Sequence, residues 1–166
     1  MLTLDLANLL QTAIQRRNQF NYEHQVAVSP EEGLRVDYVA LHVSLGHLAD
    51  LMGWFKLGQE KPAISPDELL KAYVEVIDHT FQVAARQTWS HLIVMTPDDL
   101  EALKQKRPAK SLSQQYLAIS HFIDQSFFDR QQAAFQHAWH LILKWGFVDL
   151  GFTEEQIQTA YLKTNK

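Results

Sequence analysis

Apolar residues recur at helical intervals along almost the whole chain, and strand-like alternation never lasts more than a few residues. Leu4, Leu6, Leu9, Leu10, Ala13, Ile14 and Phe20 share one side of a first helix predicted over residues 3–20. Ser29-Pro30-Glu31-Glu32 then announces a second: serine caps, proline suits the first turn, and Glu32 is placed to return the capping bond. This helix is predicted to continue to about Phe55, and residues 57–64, with Gly58 and Pro62, form a loop. Ser65-Pro66-Asp67-Glu68 repeats the start signal for a helix to about Trp89, and Thr96-Pro97-Asp98-Asp99 opens a short one to about Lys106. Ser111 with Gln114 opens a helix carrying Tyr116, Leu117, Ile119, Phe122, Ile123 and Phe127. Another is predicted from Arg130 to Asp149 and ended by Gly151, and a last from Thr153 to Thr164 with Thr153 and Gln156 as its capping box. The pattern predicts an all-α fold, a compact helical bundle forming a single domain over residues 1–166.

The second helix organises the rest. Val36, Ala40, Leu41, Leu45, Leu48, Leu51, Met52, Trp54 and Phe55 fall within one half of its cylinder, and Ser44 and His47 lie inside that apolar sector. Polar groups there need partners, because an unpaired buried hydroxyl or imidazole costs roughly 1 to 3 kcal/mol. The third helix sets an apolar face of Leu69, Tyr73, Val76, Ile77, Thr80, Val83 and Ala84 against a polar one of Glu68, Lys71, Glu75, Asp78, His79, Gln82 and Arg86.

Composition narrows the field. The chain of 166 residues is 46% hydrophobic and 20% charged, which suits one soluble domain with a sizeable core. A net charge of −4 with no basic stripe argues against a nucleic-acid polymer as partner. The absence of cysteine excludes disulfides, thiol catalysis and cysteine-held zinc. Neither a signal peptide nor a membrane-spanning run is visible, so the cytoplasm is the expected address.

Two carboxylate pairs at i and i+3 on facing helices would make an oxygen-lined site for Mg²⁺ and a triphosphate. That spacing falls on Ser44 and His47 in the second helix and on Ala72 and Glu75 in the third, a poor donor inventory. Shifting each pair by three residues gives a better set of metal ligands, His47, Asp50, Glu75 and Asp78. The competing reading leaves Asp50 and Asp78 in solvent and makes His47 a core histidine. His137 and His140 read as a surface pair, Glu75 and His79 as a weak i,i+4 ion pair, and the four tryptophans as core packing. No P-loop, dinucleotide or G-x-S-x-G signature is present.

The segments ALHVSLGHLADLMGWFK (40–56), LLKAYVEVID (69–78) and GFTEEQIQTAYLKTNK (151–166) together resemble the dimeric, all-α dUTPase family, relatives of the MazG-like nucleotide pyrophosphohydrolases. The resemblance runs along nearly the whole chain, and its most specific part is the tail, with Gly151-Phe152, Glu155, Ile157, Ala160-Tyr161-Leu162-Lys163 and Asn165. It implies hydrolysis of dUTP to dUMP and pyrophosphate by a homodimer, with Mg²⁺ held on an ExxE and an ExxD pair. Carried over without gaps, those ligands fall on Ser44, His47, Ala72 and Glu75, of which only Glu75 is a carboxylate. The family has asparagine and glutamate where this chain has Asp50 and Leu51, and its tail goes on into an asparagine and an Arg-Gln pair that serve the substrate. Lys163 and Asn165 are the nearest counterparts here.

The expectation is therefore a dUTPase-like protein with Mg²⁺-dependent hydrolysis weakened or lost, acting as a pyrimidine-nucleotide-binding or interaction module. The alternative is an active diphosphatase that uses the shifted ligands His47, Asp50, Glu75 and Asp78, with Glu75 catalytic.

Overall fold

A computed structural model describes residues 3–61 and 63–164, so Pro62 and Asn165 lie outside the described residues. Seven α-helices follow in order: α1 (Leu6–Glu23), α2 (Pro30–Met52), α3 (Pro66–Gln87), α4 (Pro97–Lys104), α5 (Leu112–Phe128), α6 (Gln132–Lys144) and α7 (Glu154–Thr164). The fold is all-α, as the periodicity predicts, and among the described residues no helix is long and apolar enough to cross a membrane.

The start signals fold as written. Ser29, Ser65, Thr96 and Ser111 each accept the backbone N–H three residues on, at 3.1 to 3.2 Å. Thr153 and Gln156 make the full reciprocal box, at 2.9 and 3.1 Å. Glu32 does not return a bond to Ser29; its carboxylate takes Arg35 instead, at 3.1 Å. Several ends differ from the sequence reading. The second helix stops at Met52 rather than Phe55, because Gly53 turns left-handed (φ 68°) and gives its N–H to Ala49. The third stops at Gln87, with Thr88 left-handed at φ 60°.

Helix α3 is the hub. It packs most extensively on α2, and α7 and α1 lie along its other sides. Near the start of α2, Asp37 and Tyr38 meet Arg86 and Gln87 at the end of α3, so these two helices run antiparallel. Tyr73 meets Phe152 and Asp78 meets Tyr161, so α7 runs parallel to α3. The α5–α6 hairpin closes the other side through Phe81 against Trp139 and a Tyr73 hydroxyl that donates to the Ile142 carbonyl at 2.8 Å. Leu9, Leu41, Leu45, Leu48, Tyr73, Ile77, Phe81, Trp139 and Tyr161 are fully buried at the centre.

The helix predicted over 130–149 is interrupted. Its last stretch, Trp145–Asp149, is a π-turn in which Leu150 N–H reaches the Trp145 carbonyl. The cause is a tertiary contact: Gly146 sits directly on the Tyr73 phenol, where a Cβ would come within 2.2 Å of the ring, and a wider turn makes room for it.

The buried face of α2 is turned relative to the predicted one. Val36, expected inside, is 52% exposed, whereas Asp37 and Tyr38 are buried; Phe55, also expected inside, lies beyond the end of α2 and is 48% exposed. The reason is that α2 is gripped from two sides, by α3 and by α5. Asp37 takes Arg17 at 2.9 Å and Arg86 at 2.7 Å, and the Tyr38 hydroxyl is hydrogen-bonded with Ser126 at 2.9 Å. These polar side chains are drawn inward by partners that a wheel of hydrophobicity does not count.

Candidate functional site

The α2–α3 pair sets the geometry of the candidate site. Asp37 and Arg86 fix the antiparallel register, and counting seven residues per two turns from that anchor brings His47 and Glu75 to the same height within a turn. Ser44 lies two turns on from Asp37, nearer the level of His79. The two helices therefore lie side by side at the height of His47 and Glu75.

The side chains at those stations do not make a cation cage. Ser44 is buried and donates its proton to the Leu41 carbonyl of its own helix at 2.8 Å. Ala72 is buried and has no donor atom. His47, placed inside the apolar sector by the sequence pattern, is exposed, because the turned face of α2 carries it to the rim. Glu75 is half-buried and has neither hydrogen bond nor ion pair among the described residues.

The shifted ligands are engaged elsewhere. Asp50 is exposed and ion-paired with Lys56 at 2.9 Å, and the Lys56 hydrogen bond and charge hold its carboxyl below the ordinary value. Asp78 points toward α7, where it accepts the Tyr161 hydroxyl at 2.6 Å. Burial and the negative charge of Asp78 push that phenol well above its usual range, so it stays a donor. Lys163 lies on α7, on a cavity wall described below.

Sequence reasoning passed over His79. The i,i+4 spacing makes it a surface partner of Glu75, yet its Nδ1 is buried without a hydrogen-bond partner among the described residues. The signal was available in the seven-residue step from Arg86, which puts His79 on the stripe facing α2. Its role could not be read without knowing that Asp37 draws Arg86 into that stripe.

The chemistry of this donor set decides what it can hold. Magnesium wants a near-octahedral shell of hard oxygens and leans on two or more carboxylates beside substrate phosphates. Glu75 is the single carboxylate at the four family stations, and among the described residues no group of three or more histidine, aspartate or glutamate side chains is placed to hold a metal. The residues do not fit a magnesium cluster.

A family model described as dUTPase matches residues 3–166, almost the entire chain and all seven helices. The chain belongs to the dUTPase family. No curated protein and no solved structure matches it. Within the dUTPase family the fold of this chain is thus that of a nucleotide pyrophosphohydrolase.

Proposed function

We propose that this chain is a dUTPase-family protein that binds a pyrimidine nucleotide but has weakened or lost Mg²⁺-dependent hydrolysis, and that it works in the cytoplasm as a binding or interaction module. The observation that carries this reading is the spent or missing donor at three of four stations: Ser44 bonded to Leu41, His47 at the rim, and Ala72 without a ligand atom. Each absent ligand removes negative charge that would hold the cation, and loss of even an outer partner costs about tenfold or more in metal affinity. Glu75 remains as the one group able to accept a proton there, and Lys163 as the side chain suited to a phosphate; Asn165, outside the described residues, keeps the substrate role that the resemblance implies.

The test is direct. Purified protein incubated with dUTP, dCTP or dTTP and excess Mg²⁺ or Mn²⁺ is expected to release no pyrophosphate above a protein-free control. Turnover abolished by Asp50→Asn or Asp78→Asn would overturn the reading in favour of an active diphosphatase on the shifted ligands. The observation favouring that alternative is Glu75, half-buried and uncommitted. Against it, Asp50 would have to leave Lys56, and Asp78 would have to leave Tyr161.

The same reading includes a homodimer. On the outer side of α2, Val36, Val39 and Val43 stand exposed beside Phe128, which is 75% exposed. Val39 and Phe128 also border a cavity of about 300 Å³ with Tyr38 and Phe127. An apolar patch of this kind suits an isologous contact between two copies. Val43→Asp is expected to shift the protein to a monomer in light scattering.

A further inference from the structure

The donor set at the family stations leaves a nucleotide's phosphates without a counter-cation, and another part of the molecule supplies positive charge. A cavity of about 530 Å³ lies between the first turns of α3 and the outer face of α7. Lys71 and Lys163 border it, together with Thr153, Gln156 and Thr159. The two ammonium groups are uncommitted, as are those of Lys61, Lys106 and Lys110 among the described residues. Lys56, Lys104 and Lys144 are each ion-paired, with Asp50, Glu154 and Asp149. Lys71 and Lys163 have neither an ion pair nor a hydrogen bond among the described residues. Both helices bordering the cavity run in the same direction, so their N-terminal ends, with partial positive charge, lie toward the same end of the bundle. Lys71 is one turn before Glu75 on α3, so the cavity adjoins the α2–α3 station rather than lying across the molecule.

We propose that this groove binds the polyphosphate of a nucleotide without a metal, with Lys71 and Lys163 supplying the charge that a divalent cation would otherwise bring. The inference rests on the reading that the chain binds nucleotide while lacking a magnesium cluster. Lysine is suited to the task, because a compact ammonium with three donors meets phosphate oxygens without demanding one geometry. Thr159 and the amide of Gln156 add neutral donors on the same wall. Asp67 and Glu155 also border the cavity and oppose an anion. They give the proposal a second, opposite sign to test.

Calorimetry in excess EDTA, with dUTP and with inorganic triphosphate as separate probes, decides it. The wild-type chain is expected to bind both. The Lys71→Ala/Lys163→Ala double variant, shown by circular dichroism to keep its helix content, is expected to lose about tenfold or more, as removal of charge-assisted hydrogen bonds should. Glu155→Gln is expected to tighten binding, an effect that a merely structural role for the groove would not produce. Absence of binding in EDTA, or an affinity the double variant leaves unchanged, overturns the groove. In the second case nucleotide binding elsewhere survives and the proposed function stands; absence of dUTP binding with Mg²⁺ present as well, or pyrophosphate release in the hydrolysis assay, overturns that reading.

Discussion

Asp37 is the side chain on which three helices agree. At 2% exposure it accepts Arg17 from α1 and Arg86 from α3, and the Arg86 guanidinium lies so close over Gly33 that a Cβ there would meet it at 2.4 Å. Removing one partner of a buried ion pair leaves charge uncompensated, which is strongly destabilising even where the intact pair adds little. Asp37→Ala should therefore lower unfolding free energy by about 3 kcal/mol or more in urea denaturation. Gly146→Ala probes packing rather than charge: the new methyl meets the Tyr73 ring, and overpacking of this kind should cost about 1 to 3 kcal/mol by the same measurement. At this scale the sequence was only partly legible. Leu41, Leu45 and Leu48 were found by periodicity because burial is their own preference. Asp37 lies inward because it depends on arginines 20 and 49 residues away that no local pattern connects, and His47, expected inward, lies outward.

The elements were more legible, because the signals that start a helix are local. A serine or threonine hydroxyl accepting the N–H three residues on satisfies one of the helix's orphan donors, and each of the five starts predicted from such a residue has that bond, whereas α6, predicted without one, has no side-chain cap. Ser65→Ala, which strips the cap of the hub helix, should cost about 1 kcal/mol and lower the melting midpoint accordingly. Helix ends were harder to place. Thr88 adopts a left-handed cap that glycine usually fills, and the π-turn at Trp145–Asp149 follows from a tyrosine 72 residues away from the start of that turn. The turn is also backed by a buried polar group: the Lys144 ammonium reaches Asp149 at 2.9 Å and Gln115 at 2.7 Å. Lysine at that position reads as surface in the sequence and is buried in the fold.

At the scale of the molecule, acid should loosen the bundle in two stages. Burial, followed by the neighbouring charge of His137, holds the His140 imidazole below its ordinary value. The unfolded chain therefore binds that proton more readily, so the contribution is complete above the usual imidazole range of about 6.5 and erodes as pH falls through and below it. Burial alone would raise Glu154, but the Lys104 hydrogen bond, the Leu4 amide and the Lys104 charge together bring it below the ordinary carboxylate value. Its contribution has the same sign and is lost lower, beneath about pH 4.3. Urea midpoints measured from pH 8 to pH 3 should hold down to about pH 6.5, fall below it and fall again beneath about pH 4.3, and His140→Gln should flatten the upper of the two steps. The bundle and its family were legible in the sequence, since helical period and tail motif extend over the whole chain. The candidate site was legible as an address only: the stations could be numbered, but whether Asp78 served a cation or Tyr161 depended on where α7 comes to rest.

That resting place fastens the two ends of the described chain. The Leu4 amide donates to Glu154 and the Asp5 amide to Gln158, while Arg16 gives its guanidinium to the carbonyls of Tyr161 and Leu162. During synthesis the first helix leaves the ribosome long before the last, so its guanidinium waits for acceptors that do not yet exist. The structure is closed like a clasp, by a segment made late locking onto one made early.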